Sequence, residues 1–235
     1  IEQGLFLARQ ILLQIAEVGL PTATETLDPI TPQYLSDLVS WCAIGARTIE
    51  SQTHREMASG LSVPVGMKNG TDGNIKVALD ALESSRTPHH FLGINPDGQV
   101  SVFRTTGNTY GHIILRGGGG KPNYQSDVVR QVECQLAERD LPKRIVIDCS
   151  HGNSKKDHTR QQLVFNDIIQ QILDGSPSIV GAMLESHLFA GNQPMTADPS
   201  QLQYGVSITD KCIGWDETEE LILAACDRLK VPVAV

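Results

Sequence analysis

The sequence predicts an α/β fold built around a parallel sheet. Short apolar runs typical of buried strands alternate with stretches of helical periodicity, which is the pattern of parallel strands joined by crossover helices. Most of these runs end in a charged or ionisable residue, and function gathers at the carboxyl ends of such strands. The 235 residues are enough to bury a substantial core as one α/β domain, residues 1–235.

The first part of the chain contains three strand patterns and four helix patterns. Residues 4–18 carry apolar side chains at helical spacing and stop at Gly19, which predicts a helix with one buried face. Thr31 and Pro32 open the next helix, because proline suits the first helical position. The predicted strands are 20–27, 43–47 and 63–68, and the other predicted helices are 31–41, 50–60 and 72–85.

The alternation of strand and helix is interrupted at residues 90–105. Two strand-like segments, FLGI and QVSVFR, flank Asn95, Pro96, Asp97 and Gly98, and these four residue types favour turns. An antiparallel hairpin inserted into the α/β fold is therefore predicted at 90–105.

The alternation resumes after the hairpin and continues to the end of the chain. The predicted strands are 112–116, 144–149 and 178–184, and the predicted helices are 124–139, 158–173 and 216–229. Asp216 is the expected cap of the last helix, since its carboxylate can accept from free backbone N–H groups. Six parallel strands are predicted in all.

The composition excludes several classes of protein. A net charge of -8 and a pI near 5.3 argue against a general nucleic-acid surface, which needs a dense basic face. Five cysteines without a CxxC pair support neither a disulfide framework nor a zinc knuckle, and they fit a cytoplasmic protein. No apolar run approaches the roughly 20 residues of a membrane span.

Charged or ionisable residues at the ends of strand-like runs are the main functional signal. We expect them to meet at one edge of the sheet, because parallel strands end on the same side. Cations there suit a ligand rich in phosphate or carboxylate groups. The residues are Glu25, Arg47, Lys68, Arg116, His151, Glu185 and Asp210.

The three cations differ in their sequence context. Arg116 precedes four glycines and Lys121, a loop whose amides could cradle an oxyanion or could simply be flexible. Arg47 and Lys68 follow apolar runs that should lie inside the fold. We therefore expect both side chains to be held at a site rather than spread over the surface.

His151, Glu185 and Asp210 offer a mixed nitrogen and oxygen donor set. Such a set suits Mn, Fe, Co or Zn better than Ca or Mg. Three ligands are a minimum, so a fourth ligand is missing, is water, or is Cys149, which stands awkwardly close to His151. The other histidines considered are interpreted as ordinary surface or core residues: His54, His89, His90, His112 and His158.

Longer segments carry a family resemblance. They are GLPTATETLDPITPQYL, WCAIGARTIESQTHREMASGLSVPVGMKNGTDG, HIILRGG, KPNY, IDCSHGNS, ESHLFAGNQ and SITDKCIGW. Over essentially the whole chain they resemble the type I 3-deoxy-D-arabino-heptulosonate 7-phosphate (DAHP) synthases of the aromatic-amino-acid-regulated group. Ile49, Met67 and the longer glycine run depart from the family pattern, but no charged group is lost.

The resemblance implies a (β/α)8 TIM barrel, of which about six of the eight strands are present here. It implies condensation of phosphoenolpyruvate with erythrose 4-phosphate, the first step of the shikimate pathway, with a divalent metal. The implied metal ligands are His151, Glu185 and Asp210. The implied phosphoenolpyruvate-binding residues are Arg47, Lys68, Arg116, Glu25 and Ala46. The candidates for catalysis and proton transfer are Lys68, His151 and Glu25, and a metal-bound water is a further candidate for proton transfer.

The resemblance also implies feedback regulation and a homo-oligomer, either a dimer or a tetramer. The implied pocket for an aromatic amino acid contains Gln33, Pro32, Leu61, Ser62, Phe91 and Gly93. The small Gly93 leaves room near the ligand ring, which favours tyrosine because a phenolic hydroxyl needs space and a polar partner.

Two other functions are compatible with the sequence. One is a 3-deoxy-octulosonate 8-phosphate synthase or a metal-dependent aldolase. The other is an inactive chain that binds only anions or an aromatic amino acid. The family's GPCSIHD segment, with a metal-binding Cys, and its KPRT segment are absent from residues 1–235, which begin with Ile1 rather than Met. We therefore expect negligible turnover from these residues alone.

Overall fold

The computed structural model of the protein describes residues 1–95 and 97–230. Pro96, part of the predicted hairpin turn, lies outside the described residues. The chain forms two compact units. The first contains Ile1–Ile114 and Leu136–Pro142, and the second contains Leu115–Gln135 and the chain from Lys143 onward.

Strands and helices alternate along both units, which confirms the predicted α/β class. The strands are β1 (Ala23–Glu25), β2 (Trp41–Ile44), β3 (Val65–Lys68), β4 (His90–Ile94), β5 (Val100–Arg104), β6 (His112–Leu115), β7 (Ile145–Asp148) and β8 (Ile179–Met183). The helices are α1 (Glu2–Glu17), α2 (Thr31–Leu35), α3 (Gln52–Gly60), α4 (Lys76–Ser85), α5 (Ser126–Glu138), α6 (Gln161–Leu173) and α7 (Trp215–Leu229). No helix within the described ranges is both long enough and apolar enough to span a membrane.

The sheet of the first unit has the strand order β1-β2-β3-β6, and all its neighbours are parallel. Every residue of β3 is buried, and so are the last three residues of β2. Parallel strands covered on both faces need apolar side chains in succession, which explains the unbroken apolar runs in the sequence. Ile44 pairs with Met67, and Lys68 at the end of β3 pairs with Ile114.

Helix α1 is less buried than its apolar spacing predicts. None of its residues is buried, and Ile11 is 47% exposed. Its described contacts include an ion pair, in which the Arg9 guanidinium donates to both carboxylate oxygens of Asp37 at 2.7 and 2.8 Å. The predicted buried face is therefore only partly covered, with Leu5, Ala8, Leu12 and Ile15 half-buried.

Two helix predictions need correction. The predicted helix 31–41 is α2 followed by a short 3-10 turn, Ser36–Leu38, and Trp41 already belongs to β2. Asp216 does not cap α7, since the helix begins one residue earlier at Trp215 and Gly214 takes the cap position. The second difference is a single residue at the start of the helix, where boundaries are least sharply defined.

The predicted hairpin is present as β4 and β5, which pair antiparallel from His90 with Arg104 to Ile94 with Val100. The Asn95 side-chain oxygen accepts from the backbone N–H groups of Asp97 and Gln99, at 3.1 and 2.8 Å. This is the turn chemistry that favours asparagine.

The second unit is built on β7 and β8, which pair parallel in the register Ile147 with Ala182 and Asp148 with Met183. All of β7 is buried, whereas in β8 exposed residues alternate with buried or half-buried ones. Helices α6 and α7 pack together in this unit, and the Arg228 guanidinium donates to the Gln170 side chain at 2.9 Å.

Two glycines in strands, Gly66 and Gly181, provide a test of how closely side chains pack against the parallel strands. A Cβ on Gly66 in β3 would lie 2.4 Å from Cδ1 of Ile114 and 2.8 Å from Cζ2 of Trp41. Ile114 is fully buried, so it has little room to move. We expect Gly66→Ala to lower the free energy of unfolding by about 1–3 kcal/mol, measured by chemical denaturation of the full-length protein.

Gly181→Ala in β8 is the matched control. A Cβ there would meet only Cγ2 of Val146, at an ordinary contact distance of 3.5 Å. Its effect should stay within about 0.5 kcal/mol of the unsubstituted protein. Equal destabilisation by the two substitutions would contradict the packing described for Gly66.

Candidate active site

His151 stands just beyond the buried strand β7, in the second unit. Its backbone is left-handed, with φ of 52°, a conformation that non-glycine residues rarely adopt. Its Nδ1 atom lies 3.0 Å from Oδ2 of the buried Asp148. The turn therefore aims the opposite ring nitrogen, Nε2, away from the strand.

Two carboxylates face His151 Nε2. Oε1 of Glu185 lies at 3.5 Å and Oδ2 of Asp210 at 3.7 Å. One donor atom from each of the three residues lies within 4.8 Å of the others. These residues form the one group of three or more candidate metal ligands within the described ranges, and Cys149 is not part of it.

The electrostatics of Glu185 fit a cation between these groups. Burial raises the pKa of its carboxyl group, and the hydrogen bond from the Ser150 hydroxyl to Oε2, at 2.5 Å, opposes that shift. Two neighbouring carboxylates repel each other unless a cation offsets their charge. One imidazole nitrogen and two carboxylate oxygens are also the donors that Mn, Fe, Co and Zn accept.

Cys149 is poorly suited to be a further ligand. Its side chain is fully buried in the second unit. Burial, together with the charge of Asp148, raises the pKa of its thiol far above the usual value. A metal binds the thiolate and not the thiol.

The glycine loop after Arg116 is closely packed at one end. A Cβ on Gly117 would lie 2.5 Å from the carbonyl carbon of Gly152, so the two backbones meet where only glycine fits. The N–H of Gly152 also donates to the carbonyl of Arg116 at 2.9 Å. This contact places half-buried Arg116 beside the turn that carries His151.

Hydrogen bonds inside this loop limit its use as an oxyanion cradle. The N–H of Gly117 donates to the Asn123 side chain, and the N–H groups of Gly118 and Lys121 donate to each other's carbonyls. These amides are therefore engaged within the protein. The loop is a hydrogen-bonded turn rather than the flexible segment that was the alternative.

Asn153 holds this region together, and sequence reasoning missed it. Its Nδ2 donates to the carbonyls of Leu115 and Asp148, at 3.1 and 2.8 Å, and its Oδ1 accepts from the N–H of Asn123 at 2.8 Å. The side chain is buried, with 2% exposure of the residue. A small polar residue just after a strand was the only signal in the sequence.

Lys68 and Glu25 form a second set of charged groups, in the first unit. Lys68 is only 6% exposed, and its Nζ lies 3.7 Å from Oε2 of Glu25. A Cβ on Gly45 would lie 2.1 Å from Oε1 of Glu25, so this glycine leaves space for the carboxylate. The expectation that Lys68 lies inside the fold is correct.

Arg47 is placed differently from Lys68, and its binding role stays a prediction. Arg47 is exposed, and Ala46 before it is half-buried. Strand β2 ends at Ile44, and the chain then turns, with the N–H of Thr48 donating to the carbonyl of Gly45 at 3.1 Å. Arg47 lies in this turn and not at the buried strand end, which the apolar run could not reveal.

A separate cavity of about 250 Å³ lies in the first unit, between the hairpin and the α2 and α3 segments. Four of the six residues predicted for the amino-acid pocket line it: Gln33, Pro32, Leu61 and Phe91. Phe103, which stacks on Phe91 with ring centroids 5.9 Å apart, and Arg104 also line it, and the sequence analysis missed both.

The other two residues predicted for the amino-acid pocket, Ser62 and Gly93, are not among the residues that line this cavity, but each lies next to residues that do. Ser62 is exposed and follows Leu61 in the chain. A Cβ on Gly93 would lie 2.8 Å from two ring carbons of Phe103 and 3.6 Å from Nε2 of Gln33. The absence of a side chain at 93 therefore gives the Phe103 ring its position.

Comparison with known proteins identifies the family of this chain. The sequence model described as the DAHP synthetase I family matches residues 2–223. The Tyr-sensitive phospho-2-dehydro-3-deoxyheptonate aldolase of Salmonella typhimurium is 53% identical over 94% of this chain and 62% of its own length. The Trp-sensitive enzyme of Escherichia coli is 54% identical over 94% of this chain and 63% of its own length.

A solved structure of phospho-2-dehydro-3-deoxyheptonate aldolase from Francisella tularensis is also similar. It has a TM-score of 0.93 and 47% identity, and the match covers 99% of this chain and 67% of that one. The present chain spans somewhat less than two thirds of the curated relatives' length. The family match nevertheless extends over nearly all of it, and the chain belongs to the DAHP synthetase I family.

Proposed function

We propose that the protein condenses phosphoenolpyruvate with erythrose 4-phosphate to give DAHP and phosphate. The observation that carries this proposal is the convergence of His151, Glu185 and Asp210 within 4.8 Å, in a chain that belongs to the DAHP synthetase I family. The names of the relatives favour this reaction over that of a 3-deoxy-octulosonate 8-phosphate synthase.

His151, Glu185 and Asp210 would hold a divalent metal, and Mn, Fe, Co and Zn remain candidates. When bound, such a metal supplies Lewis-acid polarisation of the aldehyde oxygen. The residues themselves contribute orientation. Asp148 lies beside Nδ1 of His151, and the Ser150 hydroxyl donates to Glu185, so the two ligands are directed by neighbours of their own unit.

The cations are assigned to phosphoenolpyruvate, as the family resemblance implies. In the first unit, Lys68 is buried beside Glu25, where it can meet an anionic group with little competition from water. The family resemblance gives a phosphoenolpyruvate-binding role also to Ala46 and Arg47, in the turn after β2, and to Arg116. Lys68, His151 and Glu25 remain the candidates for proton transfer.

The predicted cytoplasmic location and homo-oligomeric state, a dimer or a tetramer, remain proposals. All five cysteines are free, which supports a reducing compartment.

Substitution of a proposed metal ligand and substitution of a proposed phosphoenolpyruvate-binding residue should have separable effects. We expect His151→Ala to abolish turnover of the full-length protein and to weaken Mn²⁺ binding, because it removes a metal ligand. Arg116→Ala should weaken phosphoenolpyruvate binding by about 1.5–3 kcal/mol and leave Mn²⁺ binding nearly unchanged. Calorimetric titrations and consumption of phosphoenolpyruvate in the presence of erythrose 4-phosphate measure these effects.

Arg130→Ala is a control for the loss of an exposed arginine in the same unit. Arg130 lies on α5, where its guanidinium is 3.4 Å from the Ser126 hydroxyl. The Arg130→Ala substitution should change neither the affinity for Mn²⁺ nor the affinity for phosphoenolpyruvate. Full turnover by His151→Ala with added Mn²⁺ would overturn the proposed function.

Cys149→Ala tests the remaining candidate ligand. Because the Cys149 side chain is fully buried and lies outside the ligand group, the substitution should leave Mn²⁺ affinity within about twofold. Glu185→Gln in the same titration should lower that affinity markedly. A loss in Cys149→Ala as large as that in Glu185→Gln would make Cys149 a ligand.

We also propose that the cavity beside the hairpin binds an aromatic amino acid as a feedback inhibitor, with tyrosine favoured. Pro32, Phe91 and Phe103 offer an apolar lining for a ring, and Gln33 and Arg104 offer polar groups. Inhibition would require two states of the protein that bind the amino acid with different affinity.

Substitution at Gly93 tests this regulation. Gly93→Ala would push against the Phe103 ring, and we expect it to raise the tyrosine concentration needed for half inhibition by about tenfold while turnover is retained. Ser62→Phe should likewise relieve inhibition. Val102→Ala, at a 63% exposed position of the same hairpin, should leave inhibition unchanged. Indifference of the full-length protein to tyrosine, phenylalanine and tryptophan would remove the regulatory proposal.

A further inference from the structure

Gln161, the first residue of α6, makes a reciprocal pair of hydrogen bonds with the backbone of Glu185. Its Nε2 donates to the Glu185 carbonyl at 3.0 Å, and its Oε1 accepts from the Glu185 N–H at 2.7 Å. The residue has 0% exposure. A glutamine so completely buried is uncommon unless both ends of its amide are bonded, as they are here.

The two hydrogen bonds between Gln161 and Glu185 form just beyond the end of strand β8. Strand β8 ends at Met183, whose carbonyl still accepts from the N–H of Cys149 at 2.9 Å. Glu185 lies two residues farther on. The Gln161 amide presents one donor and one acceptor to it, which is what a residue of a neighbouring strand would present.

The backbone of Glu185 is thereby fixed from two sides. Its carbonyl accepts from the N–H of Ile213 at 3.0 Å as well as from Gln161. The side chain leaves this fixed backbone toward His151, with Oε1 at 3.5 Å from Nε2, while Oε2 accepts from Ser150. A small rotation of the Glu185 backbone would move the carboxylate by a larger distance, since the group lies three bonds beyond Cα.

We propose that Gln161 is a positioning residue for the metal ligand Glu185. It acts through the Glu185 backbone and contacts neither substrate nor metal. The inference rests on the proposed metal site, and adds to it a residue on a helix that contributes no ligand. Outer groups that orient a ligand typically affect metal affinity by about 10–100-fold when they are removed.

Gln171 on the same helix provides a matched control. It is also buried, with 8% exposure, and its Nε2 also donates to a backbone carbonyl, that of Tyr124, at 2.8 Å. It bonds no metal-ligand candidate in the described hydrogen bonds. Loss of either glutamine amide should therefore cost stability, but only Gln161 should affect the metal.

The test uses Gln161→Met and Gln171→Met in the full-length protein, since methionine matches the length of glutamine without its hydrogen bonds. We expect Gln161→Met to bind Co²⁺ about 10–100-fold more weakly and to change the visible absorption bands of the bound ion. Gln171→Met should lower the melting temperature of the metal-free protein but leave both the Co²⁺ affinity and the absorption bands unchanged. Gln161→Asn, which keeps a buried amide one methylene too short to reach Glu185, serves if Gln161→Met does not fold.

Three results would overturn the inference. Unchanged Co²⁺ affinity and spectrum in the Gln161 variants would mean that Gln161 only packs. Equal losses in Gln161→Met and Gln171→Met would mean that α6 acts through general stability. Absence of Co²⁺ binding by the unsubstituted protein would overturn the proposed metal site itself, a failure distinct from the first two.

Discussion

The close contact between the Gly117 and Gly152 backbones is the constraint on which the second unit's site depends. A Cβ at either position would lie 2.5 Å from backbone atoms of the other, so neither residue tolerates a side chain without a shift of the main chain. The buried Asn153 amide fastens the same junction by bonding the carbonyls of Leu115 and Asp148. Because Gly152 directly follows His151 in the same turn, the rare left-handed backbone of His151 is held by the packing around Gly152.

Buried polar groups with complete hydrogen bonding support the candidate ligands. An amide that leaves water loses free energy unless it finds partners, and a satisfied amide then resists rotation. Asn153 supports the His151 turn in this way, and Gln161 supports the backbone of Glu185. Asp210 is different, since its side chain is 71% exposed. The three candidate ligands therefore differ in how firmly the protein holds them.

The first unit carries a different chemistry. Lys68 is buried at the end of β3, with its Nζ 3.7 Å from Oε2 of Glu25, so this cation lies where little water reaches it. The cavity beside the hairpin combines aromatic and proline side chains with Gln33 and Arg104, which suits a zwitterion with an aromatic ring. The proposed roles of Lys68 in substrate binding and of the cavity in regulation thus rest on separate observations in this unit, and the proposed metal site rests on residues of the second unit.

The sequence by itself determined the α/β class, the six parallel strands, the hairpin and the charged residues that follow the strands. Each depends on local periodicity or on the family motifs, and a strand end such as that at Lys68 is set by where the apolar run stops. Only the tertiary structure decided that Arg47 is exposed while Lys68 is buried, because Arg47 lies in a turn beyond the end of β2, whereas Lys68 is the last residue of β3. Tertiary structure also decided the partners of Gln161, since its bonds to Glu185 join residues 24 positions apart that no local pattern relates.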